Sequence, residues 1–445
     1  MAMKRFDLEF NRHGQIHDAS QLTRLLAGLD GVSDLLVVSH GWNKDMADAR
    51  ELYDRLLGNV DRLLALRADA HFTHLAPLAP RVFAACQVFW PSKEFTEDEL
   101  IPGGGVASAE NSGRSDAALE TVLDRLAENP DRLGDKSSPP VHKELVRRAK
   151  ELIPELERSE SAGADLVSTL REFLNPEHAS HDDASIEFFS EEAATMFRRF
   201  EGEVIAPGAV GRRGATVVDI GAATGIRDML KGARAAARRI ANFATYYQMK
   251  ARADTVGSTG VAQILRRVRE QRPTVNLHLV GHSFGGRLVT AAAHALPDNT
   301  PAVTVSLLQA ALSHNGFSEY FLDGERGFYR DVVATKRASG PIIITHTKND
   351  RAVGIVYPLA SRVAFQKGCA LGDANDPYGG MGRNGALRTG EVSNTERTLK
   401  EAGQPYCFTQ GAIYNLLADE FITDHGAVDG PEVAYAILST ARALR

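Results

Sequence analysis

Hydrophobic and polar residues follow two recurring patterns along this 445-residue chain. Short continuous apolar runs, typical of strands buried on both faces, occur at residues 34–39, 82–90, 277–280, 303–308 and 341–345. Longer segments with apolar residues three and four positions apart lie between several of these runs and indicate amphipathic helices. Because strands and helices alternate, the sequence predicts an α/β fold, in which a mainly parallel sheet carries helices on both faces.

The two ends of the chain contribute further elements. Apolar and charged residues alternate over residues 6–10, which predicts an opening edge strand, and a short helix is expected at 21–29. Near the other end, a short apolar segment at 413–417 gives a faint last strand. A closing helix begins near Pro431, a residue suited to the first helical position.

The middle of the chain differs from both ends. Over residues 92–250 strand signals are scarce, charges are dense and several short helical patterns follow one another. We therefore predict that residues 1–91 and 251–445 form the two parts of an α/β core, and that 92–250 form a helical insertion, a cap or lid. Two alternatives are that the apolar stripes of this insertion pack against the core, or that the insertion forms a surface for a partner.

The strongest chemical signal is the segment NLHLVGHSFGG at residues 276–286. Here Gly281 and Gly285 flank Ser283 in a G-x-S-x-G pattern, with an apolar strand before it and a small-residue helix after it. This context is typical of a nucleophile elbow, a turn so sharp that glycines are needed on both sides of the strained nucleophile. Such a turn holds the hydroxyl clear of the sheet and directs the first N–H groups of the helix at the reacting oxygen.

The GHSFGG turn, which includes His282, resembles that of lipases, esterases and thioesterases in the α/β-hydrolase superfamily. The resemblance covers residues 30–91 and 260–445 and excludes the insertion. It implies that Ser283 is the nucleophile, Asp350 the acid and His425 the base, in that order along the chain. The implied reaction is acyl transfer to water through an acyl-enzyme.

The same resemblance implies an oxyanion hole. His40 and Gly41 follow the strand at 34–39 and match an H-G motif of the family. The backbone N–H near Trp42 would join that of Phe284 to bind the oxyanion. For His40 itself we expect a structural hydrogen-bonding role rather than that of a base.

Other residues compete for two of these roles. Asp323 and Asp376 are alternative acids, although neither directly follows a clear strand. His314 and His346 lie near strand ends and are alternative bases, but His425 is the one that precedes the last helix.

Two further functions stay open at this point. One is a catalytically silent fold used as a binding or scaffold module, in which Ser283 survives as turn structure. The other is a nucleotide-dependent transferase, because TVVDIGAATG at 216–225 resembles the first glycine loop of a methyltransferase, with Asp219 at the strand end. The following residues, 226–248, indicate a helix instead of a strand with an acidic end, so a glycine-rich turn beside the cap is favoured.

Composition narrows the classes of partner. A net charge of -6 gives no electrostatic reason to expect nucleic acid. No apolar run approaches the roughly 18 residues of a membrane span, and the first ten residues lack the apolar core of a signal peptide, so a cytoplasmic location is expected. We expect an ester or lipid ester as substrate. Peripheral contact with a membrane through the cap is an alternative to a protein that stays in solution.

Cysteine usage indicates neither a disulfide framework nor a metal site. Cys86, Cys369 and Cys407 are far apart and form no C-x-x-C pair, so we expect free thiols. No metal-ligand spacing occurs, and neither a metal nor a cofactor is predicted.

Overall fold

A computed structural model describes residues 3–41, 46–92, 119–120, 123–124, 140–183, 185–201, 232–321, 324–350, 352–353, 374 and 377–444. Several residues named by the sequence lie outside this set, namely Trp42, the glycine loop at 216–225 with Asp219, Asp323, Cys369 and Asp376. The predictions made for them stay predictions.

Strands and helices are numbered in chain order over the described residues. The strands are β1 (Lys4–Glu9), β2 (Asp34–Ser39), β3 (Phe83–Phe89), β4 (Asn276–His282), β5 (Val303–Leu308), β6 (Ile342–His346) and β7 (Ile413–Leu417). The α-helices are α1 (Ala19–Gly28), α2 (Met46–Ala65), α3 (Pro140–Leu152), α4 (Glu160–Phe173), α5 (Ser185–Ser190), α6 (Ala193–Glu201), α7 (Ala233–Thr255), α8 (Ala262–Gln271), α9 (Phe284–His294), α10 (Arg330–Ala334), α11 (Met381–Asn384) and α12 (Pro431–Arg442). Shorter 3-10 segments span Ala70–Leu78, Ile153–Glu155 and Pro176–His178, and a π-helical turn, Val256–Val261, joins α7 to α8.

The seven strands of the described residues form one sheet in the order β1-β3-β2-β4-β5-β6-β7, and every neighbouring pair is parallel. The predicted α/β class with a parallel sheet is therefore confirmed. Because all strands point the same way, their carboxyl ends share one edge of the sheet, which we call the rim.

Helices cover both faces of this sheet. Along β2, Leu35 and Val37 contribute to a core shared with α1, α8 and α9, whereas Leu36 and Val38 contribute to a second core with α2 and α12. This alternation follows from the two-residue period of a strand, and it explains why β2 is apolar on both faces.

The inserted helices have a hydrophobic core of their own. Apolar residues of α3, α4, α5 and α6 and of the first half of α7 pack against one another and against Tyr378. The apolar stripes that suggested a lid are thus covered by neighbouring helices of the insertion. The predicted boundary after Lys250 falls inside α7, whose second half, including Met249 and Ala253, packs in the sheet's core.

Buried charges connect the insertion to the helix that follows Ser283. Lys250 Nζ on α7 lies 2.7 Å from Asp183 Oδ2 of the insertion. One turn further along α7, both carboxylate oxygens of Asp254 accept hydrogen bonds from Arg287 of α9, each at 2.8 Å. Both pairs lie on α7, so one pair ties this helix to the insertion and the other ties it to α9; removing one partner of either pair would leave an uncompensated buried charge.

No helix among the described residues has the length and apolar character needed to cross a bilayer.

Candidate active site

Ser283 occupies a strained turn between β4 and α9. Its backbone has φ 54° and ψ -124°, a conformation outside the regions that residues with a side chain normally adopt. Strain of this kind costs about 1–3 kcal/mol and persists only where the surrounding structure enforces it. The β4 strand ends at the preceding residue and the helix begins at the next, so the serine projects from the junction.

Two glycines enforce this turn. A Cβ at Gly281 would lie 2.2 Å from the carbonyl oxygen of Gly285, and a Cβ at Gly285 would lie 2.3 Å from that of Ser39. Both distances are shorter than atoms tolerate, and both neighbours are backbone atoms, which cannot rotate away. The G-x-S-x-G spacing is therefore a steric requirement of packing α9 against the ends of β4 and β2.

Hydrogen bonds to the next strand fix the backbone of the elbow. Ser283 donates its N–H to the carbonyl oxygen of Leu308 at 3.0 Å, and its own carbonyl accepts from Gly286 at 2.9 Å and from Ala311 at 3.1 Å. The residue is 5% exposed. The nucleophile candidate thus lies at the rim in a fixed backbone position.

Asp350 and His425 meet at the same rim. Asp350 follows β6, His425 lies between β7 and α12, and His425 Nδ1 is 2.8 Å from Asp350 Oδ2. The carboxylate also accepts from the N–H of Val353 at 2.8 Å and from Gln309 Nε2 at 3.2 Å. Because a carboxylate accepts hydrogen bonds, the His425 proton lies on Nδ1, and Nε2 keeps the lone pair that a general base uses.

His425 also lies directly beside the elbow. The Nε2–H of His282, the residue before Ser283, donates to the carbonyl oxygen of His425 at 2.8 Å, and the two imidazole rings are 4.8 Å apart between centroids. The three residues implied by the family resemblance therefore gather at the carboxyl ends of β4, β6 and β7. We call Ser283, His425 and Asp350 the rim triad.

Gln309 was missed in the sequence. It follows β5, has a left-handed backbone with φ 46°, and donates its side-chain amide to Asp350 Oδ2 and to the carbonyl oxygen of Gly382 at 2.9 Å. These bonds fix the orientation of the carboxylate. The sequence did contain one signal for Gln309: it is a polar residue directly after a buried strand, and such positions lie at the rim.

Gly41, the second residue after β2, contacts the candidate nucleophile. A Cβ at Gly41 would lie 2.6 Å from Ser283 Cβ, so only glycine allows this approach. His40 is buried and donates from Nδ1 to the Gly41 carbonyl oxygen at 2.8 Å, while the indole of Trp90 donates to the His40 carbonyl at 3.1 Å. His40 thus makes structural hydrogen bonds that shape this loop.

Phe284 is the first residue of α9. The N–H groups in the first turn of a helix have no carbonyl partner within that helix, and the helix dipole adds partial positive charge there. Gly41 and the start of α9 are therefore both adjacent to Ser283.

The competing histidines have other surroundings. His314 is buried and its Nδ1 lies 3.1 Å from Asn384 Nδ2. His346 ends β6, and burial lowers its pKa from the ordinary value. The carboxylate of Asp350 contacts His425 instead of either of them.

Within the described parts of the chain, no group of three His, Cys, Asp or Glu side chains could hold a metal ion. Cys86 is a buried free thiol and Cys407 an exposed one, as expected for both. The groups available at the rim are an alcohol, an imidazole and a carboxylate, which together suit nucleophilic attack assisted by a base.

Comparisons with known proteins leave a function to be inferred from these residues. No family model, no curated protein and no solved structure was found to match the chain.

Proposed function

We propose that this chain is a serine hydrolase of the α/β-hydrolase type, which cleaves carboxylic esters through an acyl-enzyme on Ser283. The observation that carries the proposal is the 2.8 Å contact between His425 Nδ1 and Asp350, at the rim where a strained serine is held by two glycines. Chance would seldom place these three residue types, in this order along the chain, at one edge of a sheet.

In the proposed reaction, Ser283 Oγ attacks the ester carbonyl while His425 Nε2 accepts the hydroxyl proton. Asp350 keeps the imidazole in the required tautomer and stabilises the imidazolium that forms. Collapse of the tetrahedral intermediate expels the alcohol, which takes the proton from His425. A water molecule then attacks the acyl-enzyme with His425 again as base, and the carboxylic acid and free serine are released.

Oxyanion stabilisation is assigned to backbone N–H groups. The N–H of Phe284 at the start of α9 would be one donor, and an N–H from the Gly41 loop near Trp42 would be the other. Each donor of this kind is typically worth about 3 kcal/mol in the transition state.

For the substrate we propose a carboxylic ester, with lipid esters as the less favoured class. The apolar residues in the described helices of the insertion pack among themselves, so those helices favour a structural role over an acyl-binding surface. Rates on p-nitrophenyl esters of increasing acyl length test this point. Rates that climb steadily with acyl length would restore the lipid-lid interpretation.

The decisive experiment is covalent labelling with a fluorophosphonate, which reacts with activated serines. We expect wild-type protein to be labelled and peptide mapping to place the label on Ser283. Ser283→Ala should remove the label, whereas the matched control Ser306→Ala, which changes a buried serine on β5, should keep it. Failure to label folded wild-type protein, or equal labelling of Ser283→Ala, would support the catalytically silent fold instead.

A further inference from the structure

His282 makes a contact that the proposed reaction does not yet use. It is the last residue of β4, directly before Ser283, and it is buried. Its Nε2–H donates to the carbonyl oxygen of His425 at 2.8 Å. We propose that His282 is a positioning residue, which holds the loop of the catalytic base against the nucleophile strand. This inference rests on the proposed function.

The sheet fixes the position of His282 itself. Its backbone lies in register with Leu308 of the neighbouring β5 strand. A Cβ at Gly41 would lie 3.1 Å from His282 Nδ1, so the ring occupies the space between the Gly41 loop and the ring of His425. Because the His282 ring is confined in this way, its hydrogen bond holds the segment that carries His425 in a fixed position relative to β4.

The His425 loop makes hydrogen bonds to several parts of the chain. Within the loop, the carboxylate of Asp424 accepts from the N–H groups of Gly426 at 2.8 Å and Ala427 at 3.1 Å. These bonds shape the turn locally, but they do not join it to the strand that bears Ser283. The bond from His282 does so, because its acceptor is the main-chain carbonyl of His425.

Two contacts among the described residues act on His425 itself. Asp350 holds the ring through Nδ1, and His282 holds the main chain through the carbonyl oxygen. The first contact sets the tautomer and direction of the ring, and the second restricts movement of the main chain that carries it. Together they limit how far Nε2 can move relative to β4. Misplacement of a reacting group by about 1 Å can cost on the order of 100-fold in rate.

Paired variants test the role of the donor. His282→Phe keeps a flat ring but loses the N–H, whereas His282→Gln carries an amide NH₂ at the reach of Nε2. We expect His282→Phe to lower kcat on p-nitrophenyl acetate by about 100-fold with KM changed less than about threefold, because binding does not depend on the position of the base. His282→Gln should recover most of that loss, and the rate of fluorophosphonate labelling should follow kcat.

A third variant keeps the test decisive if His282→Phe does not fold. Asparagine at 282 is polar like glutamine, but its amide reaches only the position of Nδ1. The kcat of His282→Asn should therefore be as low as that of a variant without the donor. The melting temperature of each variant reports folding independently of activity.

The proposal about His282 is overturned if folded His282→Phe retains wild-type kcat, or if His282→Asn is as active as His282→Gln. Wild-type protein that neither hydrolyses esters nor takes the label would overturn the proposed function instead, so the two failures are distinguishable.

Discussion

A carboxylate, an imidazole and a hydroxyl occur together at both ends of the sheet. Besides the rim triad, a second set lies near the amino ends of the strands. There Asp34 Oδ1 is 2.8 Å from His278 Nε2, and His278 Nδ1 is 2.9 Å from Thr304 Oγ1. In both sets the carboxylate faces one ring nitrogen, so the other nitrogen keeps a lone pair.

The surroundings of the amino-end set (Asp34, His278 and Thr304) differ from those of the rim triad. Thr304 is fully buried in the regular strand β5. Arg81 Nε also binds Asp34, at 2.7 Å. Burial raises the pKa of Asp34, but hydrogen bonds from His278 and Arg81 outweigh burial and hold that pKa well below its usual value.

The three residue types by themselves therefore do not distinguish a candidate reactive site from a structural set. The rim triad adds a strained turn that projects its hydroxyl from a strand end, and a helix N-terminus beside that hydroxyl. The amino-end set has neither and satisfies buried polar groups within the core, which is the common fate of such groups.

The largest effect is expected on activity when Asp350 is changed, and no comparable loss of activity is expected when Asp34 is changed. Asp350→Asn should lower kcat by about 10⁴-fold, because an amide in place of the carboxylate favours the wrong tautomer of His425. The melting temperature should stay close to that of wild type. Ester hydrolysis at saturating substrate and a thermal melt measure both quantities, and near-normal kcat would remove Asp350 from the rim triad.

The same substitution in the amino-end set, Asp34→Asn, should lower the stability of the fold. Asp34→Asn leaves Arg81 without its buried counter-charge, so we expect the free energy of unfolding to fall by about 3–5 kcal/mol. The kcat of the molecules that remain folded should be unchanged. Urea unfolding, with activity normalised to labelled Ser283, measures both; a loss of kcat in the folded fraction would contradict the structural role.

The pH dependence of stability sharpens the contrast. Burial lowers the pKa of His278, so the folded protein keeps this ring neutral while the unfolded chain takes up a proton below its ordinary pKa of 6.5. Stability is therefore present above that pH and is lost as pH falls, by at most about 1.4 kcal/mol per pH unit from this residue.

His278→Gln should accordingly show a flatter dependence of unfolding free energy on pH between about 7 and 5 than wild type. Because other buried histidines titrate in both proteins, the difference in slope isolates His278. Equal slopes would mean that this ring is not held neutral.

The smallest effect concerns backbone strain. Ser283→Gly should be more stable than Ser283→Ala by about 1 kcal/mol, because glycine accepts φ 54° at little cost, although its greater freedom in the unfolded chain reduces the gain. Thr304→Gly should be less stable than Thr304→Ala, since that residue lies in a regular strand. Urea titrations of the four variants give the comparison, and an alanine at 283 as stable as glycine would argue against strain.

The sequence predicted the framework of the sheet well. Continuous apolar runs located β2 and β5 at their observed bounds, and the faint segment at 413–417 proved to be β7. A strand buried on both faces has to be apolar throughout, so the signal is local and strong. The helices of the insertion were also predicted, but a helical period shows which face is apolar and does not show what covers it.

The site was predictable only in part. The residues of the rim triad were named from the family resemblance, which matches their order along the chain and their places after strands or before the last helix. The support from Gln309 and the contact of His282 depend on segments far apart in sequence, and no local pattern records them. The amino-end set was missed for the same reason, although an aspartate at the start of an apolar run indicates a buried partner.

Helix α7 determines where parts of this protein can be exchanged. Its first turns belong to the core of the insertion and its last turns to the core of the sheet, and Asp254 on it grips the helix that follows Ser283. A cut at the predicted edge of the insertion, after residue 250, would divide α7 and separate Asp254 from the turns that pack in the insertion. A chimaera that replaces the insertion must therefore keep the final turns of α7.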